Sequence, residues 1–167
     1  MKILAIGGSG GMGRFAVDAA QHFNTVERIE VADLNEASAR NFAAQLNNKV
    51  NAIGLDVSDD AALRKAMANA DLVMNTCGPF YRYGLPVLQA AIESGCHYVD
   101  ICDDWEPTVE MLKLDQQAKD AIFFMIMGGD MKFFAGGIIR HPTNYRVKAD
   151  PIFDPGGVDP PLDIIKQ

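Results

Sequence analysis

The sequence predicts an α/β fold built on a doubly wound parallel sheet. Short apolar runs, each suited to a buried strand, alternate along the first 130 residues with segments whose apolar positions recur at helical spacing. A glycine-rich stretch, GGSGGMGR at residues 7–14, separates the first apolar run from the first helical segment. Parallel strands need a long crossover between them, usually a helix, so this alternation implies consecutive βαβ units. Six such strands give a Rossmann sheet with the expected order 3-2-1-4-5-6.

The six predicted strands are short and mostly apolar, as expected for strands that are covered on both faces. They lie at residues 2–7, 27–33, 50–55, 70–75, 96–101 and 121–127. The last of these is the most apolar and would form an edge of the sheet, where exposed apolar chain invites aggregation.

The predicted helices lie between these strands and have recognisable starting residues. They are expected at about residues 12–23, 35–46, from 58 onward, 84–94 and 107–119. Asn35 is expected to cap the second helix and Ser58 to open the third, because both side chains can accept a hydrogen bond from a free helical N–H group. Pro107 suits the first turn of the fifth helix.

The residues after Asp130 differ in composition from those before it. They contain five of the eight prolines of the chain and show no helical period. The sequence therefore predicts a Rossmann domain at residues 1–130 and an extended or β tail at 131–167, with a hairpin around residues 136–137. We expect this tail to cover the edge at the sixth strand, within one chain or across a homodimer.

Composition and charge limit the class of partner. The formal net charge of −7 argues against a nucleic acid or an anionic membrane as the main partner, while a single anionic cofactor can still be bound locally by backbone dipoles. No run of about 18 apolar residues is present, and the apolar stretch before the glycines is too short for a secretory signal. Three cysteines are too few for a disulfide framework, so we expect reduced thiols and a cytoplasmic protein.

The glycine-rich stretch fits the dinucleotide-binding pattern G-x-G-x-x-G through Gly8, Gly10 and Gly13. In this pattern the first glycine allows a tight turn, the second lets the backbone approach a pyrophosphate, and the third lets the helix pack closely. The phosphates would then lie at the positive N-terminal end of the first helix. Asp33 follows Gly13 by twenty residues and closes the second strand, where a carboxylate accepts hydrogen bonds from the adenosine ribose.

Asp33 also bears on the choice between NAD and NADP. A carboxylate at this position repels a 2′-phosphate, and the next residue is Leu34 rather than an arginine that would pair with one. NAD is therefore the preferred cofactor and NADP the alternative, since Arg14 could rearrange to bind the phosphate. Asp56 and Val57, at the end of the third strand, are expected to line the adenine, although Asp56 or Ser58 could simply cap the next helix.

Several linked motifs resemble the saccharopine dehydrogenase family. They are NTCGPF at residues 75–80, AAIESG at 90–95 and HYVD at 97–100, together with the glycine loop, and the similarity covers about residues 1–127. The resemblance implies a nicotinamide dinucleotide bound at the carboxyl ends of the strands, with hydride transfer to or from an amino acid or a secondary amine. It also implies that the loop from Thr76 to Pro79 lies near the nicotinamide, and that Tyr98 and Asp100 lie beside the substrate.

The resulting set of predicted cofactor-binding residues spans four loops. It comprises Gly8, Ser9, Gly10, Gly11, Met12, Gly13, Asp33, Leu34, Asp56, Val57, Thr76, Cys77, Gly78 and Pro79. Members of the family are longer and complete the substrate pocket with a second domain, so this chain is either a fragment or a divergent member. A dinucleotide-binding sensor or scaffold without catalysis is the alternative function.

No catalytic residue is assigned from the sequence. Asp103, Asp104 and Glu106 crowd the end of the fifth strand with Asp100 and could bind a cationic amine, but acids at a helix N-terminus are also ordinary caps. Cys77 lacks a partner histidine at a recognisable spacing and is more simply a buried thiol than a nucleophile. The cysteines and histidines lack zinc-binding spacing, and no tyrosine is followed four residues later by lysine, as short-chain dehydrogenases require.

Overall fold

A computed structural model of the chain describes residues 1–120, 125–126 and 138–139. Within this part the strands form one sheet in the order β3-β2-β1-β4-β5-β6-β7. The strands are β1 (Lys2–Ile6), β2 (Arg28–Asp33), β3 (Val50–Gly54), β4 (Leu72–Asn75), β5 (His97–Asp100), β6 (Met125–Ile126) and β7 (Ile138–Ile139). The first six pair in parallel, which confirms the predicted Rossmann order. No helix among the described residues has both the length and the apolar character needed to cross a bilayer.

Helices cover both faces of this sheet. They are α1 (Gly11–Ala20), α2 (Glu36–Ala43), α3 (Asp60–Met67), α4 (Phe80–Glu93), α5 (Trp105–Leu112) and α6 (Asp115–Asp120). Successive residues of β1 point to opposite faces, and each face builds its own core. Leu4 and Ile6 join the core under α3, α4 and α5, whereas Ile3 and Ala5 join the core under α1 and α2.

Two helix starts differ from the sequence prediction. The side chain that caps α3 is that of Asp59, which accepts a hydrogen bond from the Ala62 N–H at 3.0 Å, rather than that of Asp56 or Ser58. Helix α4 begins at Phe80, four residues before the predicted start, because Phe80 is buried in the core and Pro79 occupies the capping position. The prediction that Asn35 caps α2 is confirmed, since its side chain accepts a hydrogen bond from the Ser38 N–H at 3.0 Å.

The single helix predicted for residues 107–119 is divided into α5 and α6. At the division, the N–H groups of Lys113 and Leu114 donate to carbonyls three residues earlier, at 3.2 and 3.1 Å, which tightens the last turn and ends α5. Leu114 packs against the core at this break, and α6 starts directly after it. The apolar spacing continues across both helices, so it gave no sign of the break.

The chain beyond α6 adds two strands to the edge of the sheet. Met125 of β6 pairs with Tyr98 of β5 in parallel, and β7 pairs antiparallel with β6 through Met125 and Ile139. The backbone of Ile138–Ile139 thus lies beside the sixth strand. The rest of the predicted strand at 121–127, the turn at 136–137 and the remaining tail lie outside the described residues, and the domain division at 130 stays a prediction.

Candidate functional site

The glycine loop joins β1 to α1 by a turn that requires glycine at two positions. Gly7 has a φ of +70°, in the left-handed region, and its N–H donates to the Ala32 carbonyl at 2.8 Å. The residue in the left-handed conformation is therefore Gly7. The sequence pattern predicts the tight turn at Gly8 instead. At Gly13 an added Cβ would lie 2.3 Å from the Gly7 carbonyl oxygen and 2.8 Å from the Thr76 Oγ1. Helix α1 can approach the loop and β4 this closely only because residue 13 has no side chain.

The N-terminus of α1 has no side chain that caps it. Its capping residue is Gly10, in an extended conformation with φ −74° and ψ 175°, and no side-chain cap bond is made. The first turn also contains no acidic residue. Free N–H groups and the positive end of the helix dipole therefore remain at the carboxyl edge of the sheet, where an anionic group is favoured.

Asp33 ends β2 beside this loop and is held from two sides. Its Oδ2 accepts a hydrogen bond from the Ser9 hydroxyl at 2.7 Å, and its Oδ1 accepts one from the Asn35 N–H at 3.2 Å. A carboxylate offers about four acceptor positions, so one position on each oxygen remains for a further donor. Chemically, such a carboxylate can accept one hydrogen bond on each oxygen from two neighbouring hydroxyl groups, such as those of a ribose.

Arg14 lies on the other side of Ser9. Its Nε donates to the Ser9 carbonyl oxygen at 2.7 Å, and its guanidinium lies 4.9 Å from the centre of the Phe42 ring, within cation–π range. Both contacts hold the arginine against the protein. Leu34, the neighbour of Asp33, has an apolar side chain and is 76% exposed.

Asp56 and Val57 follow β3, next to Asp33 in the sheet. The side-chain and backbone hydrogen bonds from Ser58, at 2.6 and 2.8 Å, lower the pKa of Asp56, with a smaller contribution from the charge of Arg82. Val57 packs against the core under α3 and α4. This loop follows the carboxyl end of β3, at the same edge of the sheet as the glycine loop.

The loop from Thr76 to Pro79 follows β4 and faces the glycine loop. The Thr76 hydroxyl and N–H both donate to the Ile6 carbonyl, at 2.9 and 2.8 Å, and tie this loop to the end of β1. The Gly78–Pro79 peptide bond is cis. Burial, followed by the charges of Asp33 and Asp56, raises the pKa of the Cys77 thiol, so it stays protonated at neutral pH. The thiol is partly buried, rather than fully buried as predicted.

A buried polar network connects the ends of β4 and β5. Asn75 and Tyr98 are completely buried and Asp100 is 3% exposed. The Asn75 Nδ2 donates to the Tyr98 hydroxyl at 2.9 Å, while the Asn75 Oδ1 accepts from the Cys77 N–H and the Asp100 Oδ1 from the Cys102 N–H, both at 3.0 Å. Burial, with the nearby charge of Asp100, raises the pKa of Tyr98 well above its ordinary value. The two residues predicted beside the substrate therefore lie beneath the surface in this chain.

The acidic residues after β5 do not combine into a metal site in the part of the chain described. Asp104 occupies the capping position of α5, but its side chain makes no cap hydrogen bond; its carbonyl accepts from the Thr108 hydroxyl at 2.7 Å. Glu106 lies in the first turn of α5, where a negative charge favours the helix dipole. Of these acids, Glu106 is therefore placed to favour the helix start, whereas the Asp104 side chain does not cap it.

Two residues near the site were not predicted from the sequence. Ser38 lies in the first turn of α2 with its hydroxyl 3.1 Å from that of Ser9. Asn75, at the end of β4, connects the Cys77 N–H to the Tyr98 hydroxyl of β5. The sequence predicts only the helix start at Asn35 in this region, and nothing in it singles out Ser38. Asn75 belongs to the motif NTCGPF, which gives no sign of the buried hydrogen bonds that this residue makes.

A family model described as the saccharopine dehydrogenase NADP binding domain matches residues 3–125. The chain belongs to this family. Its sequence is 38% identical over 71 residues to a saccharopine dehydrogenase-like oxidoreductase of Rattus norvegicus, covering 42% of this chain and 17% of that protein. It is 28% identical over 102 residues to a trans-acting enoyl reductase of Mycobacterium tuberculosis, covering 59% of this chain and 24% of that protein.

The fold is similar to that of a solved saccharopine dehydrogenase (L-Glu forming) from Saccharomyces cerevisiae. The TM-score is 0.67 at 23% sequence identity, covering 79% of this chain and 28% of the yeast chain. The chain therefore spans less than a third of each of these relatives. The matches support an oxidoreductase cofactor-binding role for the domain and a nicotinamide dinucleotide as its ligand.

Proposed function

We propose that this chain is the cofactor-binding part of an NAD(P)-dependent oxidoreductase of the saccharopine dehydrogenase type, which acts on an amino acid or a secondary amine. The observation that carries the proposal is the pairing of an uncapped α1 N-terminus with the Asp33 carboxylate, which retains one acceptor position on each oxygen. The first suits a pyrophosphate and the second a ribose diol. When bound, the nicotinamide ring supplies the chemistry, namely the gain or loss of a hydride.

The residues of four loops would hold this cofactor. The backbone from Gly8 to Gly13 would face the pyrophosphate, Asp33 and Leu34 the adenosine ribose, Asp56 and Val57 the adenine, and the loop at 76–79 the nicotinamide half. The uncapped N-terminus of α1 and the open space at Gly11, where an added Cβ meets nothing within 4 Å, support the first assignment. The hydrogen bonds from Thr76 to β1 support the last, because they fix that loop against the glycine loop.

We further propose that NAD is preferred to NADP. The Asp33 carboxylate would repel a 2′-phosphate, and Arg14 is engaged by the Ser9 carbonyl and the Phe42 ring. Binding of NADPH through Arg14 would need those contacts to change. Calorimetric titration of the unaltered chain with NADH and NADPH tests both parts of the proposal: tighter binding of NADH is expected, equal affinities would refute the preference, and no binding of either would refute the function.

On the substrate side we propose that Tyr98 and Asp100 act by positioning. Both are buried, and the network that contains them ends at the N–H groups of Cys77 and Cys102 in the two loops nearest the nicotinamide half. These side chains would fix the two loops against which the amine or amino acid binds.

The three cysteines are free, which supports the proposed cytoplasmic location.

The second candidate function is a dinucleotide-binding module without catalysis. It is favoured by one observation: at the nicotinamide end, the Cys77 thiol is held protonated and Tyr98 and Asp100 are buried. A screen of amines and amino acids, followed through the absorbance of NADH, separates the two functions. Cofactor binding without turnover of any substrate in the longest natural form of the protein would favour the module, and turnover would exclude it.

A further inference from the structure

A short chain of side chains runs behind the Asp33 carboxylate. The Ser9 hydroxyl lies 2.7 Å from the Asp33 Oδ2 and 3.1 Å from the Ser38 hydroxyl. Ser9 is buried, with 7% of its surface exposed, and Ser38 is half-buried. The three side chains come from three different elements: the glycine loop, the end of β2 and the first turn of α2.

The direction of these hydrogen bonds follows from counting protons. Ser9 has one hydroxyl proton, and an ionised carboxylate can only accept, so the proton of Ser9 goes to Asp33. The contact between the two serines is then made by the proton of Ser38, which Ser9 accepts. Each bond polarises the next, and this strengthens the hydrogen bond that reaches the carboxylate.

We propose that Ser38 is a positioning residue for the adenosine subsite and that it sets the discrimination between NADH and NADPH. It fixes the rotamer of Ser9, which in turn holds Asp33 with its two vacant acceptor positions toward a ribose diol. The inference rests on the proposed function, because it concerns the same dinucleotide. It adds a residue that does not itself reach the ligand.

Ser9 connects this chain to the other determinant of cofactor choice. Its carbonyl oxygen accepts from the Arg14 Nε at 2.7 Å, while its hydroxyl donates to Asp33. One residue therefore holds the carboxylate that favours NADH and the arginine that would favour NADPH. Because Ser38 fixes the Ser9 side chain and not its carbonyl, its loss is expected to loosen Asp33 and to leave Arg14 in place.

The variant Ser38→Ala tests this role with little risk to the fold. The cap of α2 uses the backbone N–H of Ser38, which the variant keeps, and alanine is a good helix former. We expect the ratio of the NADPH to the NADH dissociation constant to fall about threefold, since one hydrogen bond behind the binding carboxylate is lost. Ser38→Thr, which keeps the hydroxyl, should restore the ratio, and Ser94→Ala, at the end of α4, should leave it unchanged.

The double variant shows whether Ser38 acts through Ser9. Ser9→Ala removes the bond to Asp33 directly and should lower the same ratio about tenfold, and adding Ser38→Ala to it should cause no further change. An unchanged ratio in Ser38→Ala, an equal loss of both affinities, or a further fall in the double variant would each overturn the inference. If the unaltered chain binds neither nucleotide, the proposed function fails together with it; if it binds both and only the variants fail to shift the ratio, this inference alone fails.

Discussion

The two ends of the candidate cofactor cleft use polar residues in opposite ways. At the adenosine end, the chain Ser38–Ser9–Asp33 leads outward and finishes at a half-buried carboxylate with acceptor positions to spare. At the nicotinamide end, Asn75, Tyr98 and Asp100 are buried and hydrogen-bond to one another or to the backbone of the next loop. The first arrangement is suited to binding a ligand, and the second to holding two loops in place.

The largest effect is expected where the two ends meet, at Gly13. A Cβ there would lie 2.3 Å from the Gly7 carbonyl and 2.7 Å from the Gly8 Cα, both backbone atoms that cannot move without shifting the loop. Gly13→Ala should therefore lower the free energy of unfolding by about 3 kcal/mol, at the upper end of overpacking effects. Thermal unfolding followed by circular dichroism measures this.

Gly11→Ala is the matched control for stability. An added Cβ at Gly11 meets nothing within 4 Å, and the residue is the first of α1. Its unfolding temperature should equal or slightly exceed that of the unaltered chain, because alanine favours a helix more than glycine does. Equal stability of the two alanine variants would show that the close approach of α1 to the loop is not required.

A smaller loss is expected at the nicotinamide end from Tyr98→Phe. The variant leaves the buried Nδ2 of Asn75 without the hydroxyl it binds at 2.9 Å, which costs about 1–3 kcal/mol of stability. The affinity for NADH should change less than about twofold, since no binding role is proposed for this hydroxyl. Chemical denaturation and calorimetric titration of the same sample give both values.

The opposite result for Tyr98→Phe would remove the difference between the adenosine end and the nicotinamide end. If Tyr98→Phe left stability unchanged and weakened NADH binding, the buried network would be part of the cofactor site. The nicotinamide end would then bind the ligand as the adenosine end does, and the difference between them would not hold.

Much of the fold, and less of the site, could be predicted from the sequence. The alternation of strands and helices predicted a parallel sheet because each parallel strand needs a crossover, and the Rossmann architecture supplied the strand order. It could not show that Tyr98 and Asp100 are buried, since polar residues at a strand end read equally well as exposed. Ser38 was missed because a serine in the first turn of a helix looks like an ordinary helix start, and its partner Ser9 is 29 residues away in sequence.

The smallest effect concerns the Cys77 thiol, in the loop that follows β4. Because burial and the charges of Asp33 and Asp56 raise its pKa, alkylation of Cys77 by iodoacetamide should be slower than that of free cysteine at every pH below the raised pKa. Folding favours the protonated form, so the associated stability is present at neutral pH and is lost as the pH rises through the raised pKa. Mass spectrometry of the labelled peptide at several pH values measures the rate.

The binding of NADH provides a second test of the prediction for Cys77. NADH should slow the labelling of Cys77 further, and Cys77→Ala identifies the signal, since Cys96 and Cys102 are buried. Fast labelling at neutral pH would mean that the thiol is ionised and would reopen its role as a nucleophile.

The most direct test of the account is the NADH affinity of Asp33→Ala beside that of Asp60→Ala. Asp60 is an exposed carboxylate in the first turn of α3 that pairs with Arg64, outside the candidate cleft. We expect Asp33→Ala to weaken NADH binding by about tenfold or more, because hydrogen bonds to a charged acceptor are lost. The affinity for NADPH should change far less. Asp60→Ala should leave both affinities within about twofold, as expected for an exposed ion pair. Equal NADH affinities for the two variants would contradict the placement of the ribose at Asp33 and, with it, the account of the adenosine end.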